Sequence, residues 1–123
     1  MANAINWFEI PAEDFERAVG FYSKILDAEL TAQELMGTKM AFLPTEGEGA
    51  VGGAVCAGEM YKPSSDGAVV YLNGGNDLSA PLSRVEEAGG RVLMPKTKIS
   101  DEIGYMAIFS DSEGNKLAFH SPH

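Results

Sequence analysis

The chain carries one pattern twice, and that repeat limits its folds more than any other feature. EDFERAVGFYSKI at Glu13–Ile25 and NDLSAPLSRVEEA at Asn76–Ala88 keep step over their whole length at a shift of 63 positions. Asp14 falls on Asp77, Phe15 on Leu78, Val19 on Leu82, Tyr22 on Val85 and Ile25 on Ala88. Each half thus carries an aspartate followed by apolar residues at helical spacing. A second echo follows, MAFLPTEG against MAIFSDSEG, at a shift that grows from 66 to 67, as one added loop residue produces. In a chain of 123 residues neither half can bury a sheet by itself. The two must pack together, within one chain or across a dimer.

An aspartate just before an apolar helical run accepts hydrogen bonds from the free N–H groups of the first turn, so Asp14 and Asp77 are expected to open two helices. Pro81 falls in the opening turn of the second, where a missing N–H costs little, and Gly89 and Gly90 supply the left-handed residue that ends it. Before each helix stands a short run rich in aromatic and β-branched residues, INWFEI and AVVYLN, which reads as a strand. Further strand-like pieces follow: TKMAFLP and AVGGAVCAG in the first half, RVLM, YMAIFS and KLAFHS in the second. YKPSSDG punctuates the middle. The expected organisation is a single α+β domain, with a first βαβββ module over 1–60, a linker over 61–67 and a second βαβββ module over 68–123.

Composition excludes several function classes. Nine basic against eighteen acidic residues give a net charge of -9, which repels phosphate backbones and anionic lipid surfaces and favours a cationic ligand. Nucleic acid and membrane are therefore not expected partners. No apolar stretch reaches the roughly 18 residues that span a bilayer, and MANAINWFEI lacks the basic-then-apolar pattern of a signal peptide, so a cytoplasmic address is expected. Cys56 is the single cysteine, which excludes an internal disulfide and a cysteine-rich zinc site and leaves it the role of a buried small hydrophobe.

The βαβββ duplication, EDFERAVGFYSKIL after a first strand, and SDSEGNKLAFHS near the end together resemble the glyoxalase, bleomycin-resistance and extradiol-dioxygenase superfamily, the vicinal oxygen chelate fold. More narrowly, WFEIP, KPSSDGAVVYL, AGGRVLMPKT, GYMAIFSDSEGN and FHSP are similar to a set of predicted enzymes related to lactoylglutathione lyase. The resemblance implies strands curled into a cupped mixed sheet, helices on its outer face, a cavity in front, and a homodimer.

Metal-dependent members of that superfamily take histidine or carboxylate ligands from the first and last strand of each module. Aligned on GFY, the first such place is Trp7, and the 63-residue shift carries it to Val70. Counting from SDSEGNK puts the last at Ala118, with its partner in module one within Val51 to Val55. These places offer none of the roughly three donors that a catalytic divalent site needs, so no metal or other cofactor is expected. A salvage set of Glu9, His120 and Glu59 would require several coincidences.

Strand alternation puts Glu9 on the face of Trp7 and His120 on that of Ala118, toward the cavity, whereas Phe8, Ile10, Leu117 and Phe119 pack on the helices. Glu9, flanked by apolar neighbours, is a proton-transfer group near neutral pH or a carboxylate bonded to backbone N–H groups or Arg91. His120 orients or assists, or is a hydrogen-bonded histidine at the rim of the sheet. Trp7 offers a flat apolar wall for a ligand or is a packed core side chain. Tyr71 is expected on the helix side with Val70 in the cavity, and Tyr105, after Gly104, in a loop able to close over the cup. Met40, Met60, Met94 and Met106 serve as soft lining or as ordinary core.

Two functions compete. One is a bleomycin-resistance-type protein that binds a small apolar or cationic molecule with Trp7, Glu9, Val70, Tyr105, Ala118 and His120. The other is a metal-free lyase or isomerase, with Glu9 and His120 as catalytic residues. A metal-dependent lyase or dioxygenase is disfavoured for lack of ligands, the dioxygenase needing two histidines and a carboxylate for iron.

Overall fold

The computed structural model describes residues 3–123. Met1 and Ala2, the start of the span assigned to the first module, lie outside the described residues. Both halves follow the expected order. The first contains β1 (Trp7–Pro11), α1 (Phe15–Leu26), β2 (Thr31–Leu35), β3 (Thr38–Phe42) and β4 (Gly52–Ala57). The second contains β5 (Val70–Asn73), α2 (Ser79–Leu82), β6 (Arg91–Ser100), β7 (Gly104–Ser110) and β8 (Lys116–Ser121). Each half makes a four-stranded mixed sheet, ordered β1-β4-β3-β2 and β5-β8-β7-β6. The parallel pairs are β1 with β4 and β5 with β8.

Helix α1 begins where the aspartate cap predicts. Asp14 has extended backbone angles and its Oδ1 accepts from Arg17 N at 3.1 Å, a contact worth about 1 kcal/mol. Ala18, Phe21, Tyr22 and Ile25 form its buried stripe at helical spacing. Asp27, at φ 51, turns the chain left-handed and ends the helix.

The second helix departs from the expectation. It is α-helical only over Ser79–Leu82, and the chain then continues in tighter turns, with Arg84 N bonded to Pro81 O and Val85 N to Leu82 O. Asp77 still serves the opening turn, its Oδ1 accepting from Ser79 N at 2.9 Å and from Lys96 Nζ at 2.9 Å. Gly89 takes the expected left-handed conformation at φ 108.

Two strands were not fully legible. TAQEL forms β2, an edge strand exposed at every position, so no buried face marks it in the sequence. A two-residue turn at Met36 and Gly37, both with positive φ, joins it to β3. Strand β6 runs well past RVLM, through Pro95, which an edge strand with register shifts tolerates.

One core serves both halves. Phe21 of α1 lies 4.9 Å edge-on from Tyr22 and 6.2 Å from Phe109 of β7, which stacks on Phe119 of β8 at 4.8 Å. Ile10, Val55, Leu72, Leu117 and Val85 are among its other members. The modules therefore pack on each other within a single chain, helix side inward. A polar joint reinforces this contact. The Tyr22 hydroxyl donates to Asp111 Oδ2 at 2.6 Å, and Asn115 Nδ2 donates to Pro11 O at 2.7 Å. Glu113 accepts from Glu13 N, Asp14 N, Arg17 and the Ser112 hydroxyl.

Among the described residues, no helix is long and apolar enough to cross a membrane.

Candidate functional site

The sheet faces turned away from the core hold the candidate residues. In module one, strand register places Trp7 beside Gly52 and Glu9 beside Ala54, and β3 adds Phe42 opposite Ala54 and Met40 opposite Cys56. Ala54 and Cys56 expose no surface, yet neither belongs to the core cluster that contains their neighbour Val55. They are the floor of this outer face. Trp7 is 42% exposed and tilts against Phe42, ring centroids 6.0 Å apart. Gly52 makes room, since a Cβ there would already touch the Trp7 ring at 3.4 Å.

Glu9 stands at the centre of this face and is exposed. Its Oε2 accepts from Trp7 Nε1 at 3.3 Å and its Oε1 from the Tyr61 hydroxyl at 2.7 Å. Among the described residues neither a backbone N–H nor Arg91 is its partner. The carboxylate leaves its mark on its neighbours. Accepting that hydrogen bond, it pushes the Tyr61 phenol up to about 12. The Cys56 thiol is raised to about 11, first by burial and then by the Glu9 charge, which keeps it protonated and unreactive near neutral pH.

Module two presents Tyr71, Asn73, Ala118, His120, Met106 and Ile108 on the corresponding face. Here two expectations are corrected. Val70 packs against the core, and Tyr71, 52% exposed, faces outward with its hydroxyl 4.0 Å from Met106 Sδ. Tyr105 is no loop residue: it lies in β7, in the core-facing row with Ala107 and Phe109, with Lys96 Nζ 4.6 Å from its ring centre. Gly104 ends the turn before it, and the left-handed glycine sets the strand going and does not free a lid.

Ala118 and His120 share the outer row. Ala118 is fully buried there, and His120 is half-buried with Nε2 2.6 Å from Ile103 O. A carbonyl can only accept, so Nε2 carries the proton of this contact. No hydrogen bond or ion pair joins His120 to Glu9 among the described residues. Nor do three of histidine, cysteine, aspartate or glutamate gather at metal-holding distance among the described residues. Of the outward residues at or near the four expected ligand places, Trp7, Ala54, Tyr71 and Ala118 are outside the histidine-or-carboxylate set that a divalent site would use, and Glu9, paired with Ala54, is the one carboxylate in that row.

Sequence reasoning missed Tyr61 and Phe42. Phe42 was readable by alternation along TKMAF, but Tyr61 sits at the first position of what reads as a linker and carries no periodic signal. It also lines a groove of about 530 Å³ with Ala12, Glu13, Gly58, Glu59, Lys62 and Pro63.

Known proteins share this architecture. TnmS3, described as an antibiotic binding protein from Streptomyces sp. CB03234, superposes with a TM-score of 0.68 at 22% identity, covering 100% of this chain and 99% of its own. An E144Q mutant of glyoxalase I from Zea mays superposes at 0.72 with 21% identity, covering 94% of this chain and 46% of that larger one. At the sequence level, a glyoxylase-like domain-containing protein of Didymella fabae is 31% identical over 117 residues, which is 93% of this chain and 90% of that protein. Residues 4–119 match the family model described as Glyoxalase/Bleomycin resistance protein/Dioxygenase superfamily. With two βαβββ modules on one core and a family match across nearly its whole length, the chain belongs to the glyoxalase/bleomycin resistance protein/dioxygenase superfamily.

Proposed function

We propose that the chain is a binding protein of the bleomycin-resistance kind, taking an apolar or cationic small molecule on the outer face of module one without a divalent metal. The observation that carries this reading is the exposed Glu9 carboxylate set against the Trp7 and Phe42 rings. An aromatic wall beside an anionic group suits a flat cation, through ring stacking, cation–π attraction and a charge-assisted hydrogen bond. Each Glu9 oxygen accepts one bond from the protein and retains a second lone-pair direction for a ligand N–H. The net charge of -9 draws such a ligand in. TnmS3, by its description an antibiotic binding protein, supports the same kind of role. The homodimer that the family resemblance implies is part of this reading.

Trp7 is the single tryptophan, so its emission reports on this face directly. Titration with the cation 9-aminoacridine in physiological salt should quench it saturably, with and without EDTA, and Glu9→Gln should weaken the effect. Sedimentation in the same buffer counts the chains per complex. Absence of saturable quenching, or stoichiometric zinc, nickel, iron or manganese in protein purified without chelator, would overturn the reading.

A second reading, a metal-free lyase or isomerase, is favoured by those same unoccupied lone pairs, which would let Glu9 take a proton from a carbon acid. In that case Glu9→Gln abolishes turnover of a carbonyl substrate while its binding survives. If no turnover changes, sequestration stands alone.

A further inference from the structure

Among the matched places at which the outer faces of the two modules differ, one exchanges a carboxylate for a phenol. Glu9 and Tyr71 occupy the same position, each opposite an alanine of the last strand, Ala54 or Ala118. The anionic contact therefore belongs to one module only. A glutamate on an exposed strand ordinarily samples several rotamers, and an acceptor that wanders gives a ligand little advantage. This glutamate is held, and the shorter of its two bonds comes from outside the sheet, from Tyr61 Oη at 2.7 Å. Tyr61 is half-buried and anchored in turn, its backbone N donating to Gly58 O at 3.1 Å. Its phenol, shifted up by Glu9, stays protonated through the physiological range, so the hydroxyl is always a donor and never a rival anion.

We infer that Tyr61 is the positioning residue that gives the cup its charge preference: by fixing Glu9 beside Trp7 it selects a flat ligand bearing a positive N–H group and rejects an anionic ligand of the same shape. The inference rests on reading this face as the ligand site. Tyr61 takes only one of the lone-pair directions on Glu9, so a ligand has no need to displace it, and the carboxylate arrives already oriented.

The test uses Tyr61→Phe, which keeps the ring and the net charge and deletes one hydroxyl. Two three-ring probes of opposite charge, 9-aminoacridine and 9-anthracenecarboxylate, are titrated against Trp7 emission. In Tyr61→Phe the affinity for the cation should fall about tenfold, the scale of one hydrogen bond to a charged group, while that for the anion holds or rises. Equal change for the two probes, no change, or tighter cation binding overturns the inference. A measurement without ligand separates this from the proposed function. The indole N–H resonance of Trp7, single in a proton–nitrogen spectrum, should move in Tyr61→Phe through the shared Glu9 and stay in place in the core-side control Tyr105→Phe. An indole resonance unmoved in Tyr61→Phe overturns the positioning role even if both probes bind. If neither probe binds the unaltered protein, the binding function falls and the indole shift still decides the role of Tyr61.

Discussion

The joint between the modules makes a prediction that can be worked in numbers. Glu113 belongs to module two, its side chain exposes no surface, and it accepts from Glu13 N at 2.9 Å, Asp14 N at 2.8 Å and Arg17 Nε at 2.7 Å, all of module one. Burial pushes its carboxyl upward, but the bonds from Arg17, Asp14 N, Ser112 and Glu13 N outweigh it and hold the group at about 2, against 4.5 ordinarily. A shift of that size corresponds to about 3 kcal/mol. Arg17 is half in solvent, which screens the pair, so about 2 kcal/mol is the better figure. The sign follows from linkage. A carboxyl depressed in the folded state contributes its full stability above the unfolded value near 4.5 and loses it as the pH falls toward about 2. Glu113→Gln loses the charge and turns an amide N–H₂ toward donors. We expect it to lower stability by about 2 kcal/mol at pH 7, or roughly 6–10 °C in Tm for a chain of this length. Urea unfolding of both proteins at pH 7 and pH 3 is the assay. The gap between them should narrow at pH 3, where the wild-type carboxylate has begun to lose its advantage. A gap that is constant across that range would refute the reasoning, since only a titrating contribution can fade with acid.

Two further expectations test the packing. Tyr22→Phe removes the hydroxyl that meets Asp111 at 2.6 Å inside the core, and although Asp111 keeps its bonds from Asn115 and Glu113 N, the loss should cost about 1.5–3 kcal/mol in urea unfolding; a change below about 0.5 kcal/mol would mean water replaces the phenol. Adjacent glycines in β4 should behave oppositely. A Cβ on Gly53 would lie 2.5 Å from the Phe8 ring on the core side, so Gly53→Ala should cost about 1–3 kcal/mol, while Gly52→Ala, in ordinary contact on the outer face, should cost little and perturb mainly Trp7 emission. Equal destabilisation of the two would contradict the assignment of faces.

How far the site was legible depends on one loop. Aligning the halves on their helices is sound at Asp14 and Asp77, and the aspartate cap, the buried stripe of α1 and the alternation that sends Phe8 and Ile10 inward follow from periodicity alone. The same shift fails in the first strands. From Ile10 to Asp14 is four steps, whereas from Leu72, which occupies the matching core position, to Asp77 is five. The additional residue is absorbed in the Gly74–Gly75 turn, where Gly75 has φ 78 and a Cβ on Gly74 would lie 2.7 Å from Leu78. Side chains alternate with period two, so a slip of one residue exchanges every inward position for an outward one. That is why Val70 was assigned to the cup and Tyr71 to the core, the reverse of their places. Tyr105 erred for a related reason: a glycine before it reads as a loop, although here Gly104 only turns the chain into β7. Tyr61 could not have been found by periodicity, because it reaches Glu9 from an irregular segment 52 residues away in sequence. Repeat and alternation carry what is common to both modules. What distinguishes them is Glu9 where its counterpart is Tyr71, Cys56 where its counterpart is His120, and a tyrosine from the connecting segment fastening one of the two faces. The repeat cannot report those differences, because periodicity records only what the two modules share.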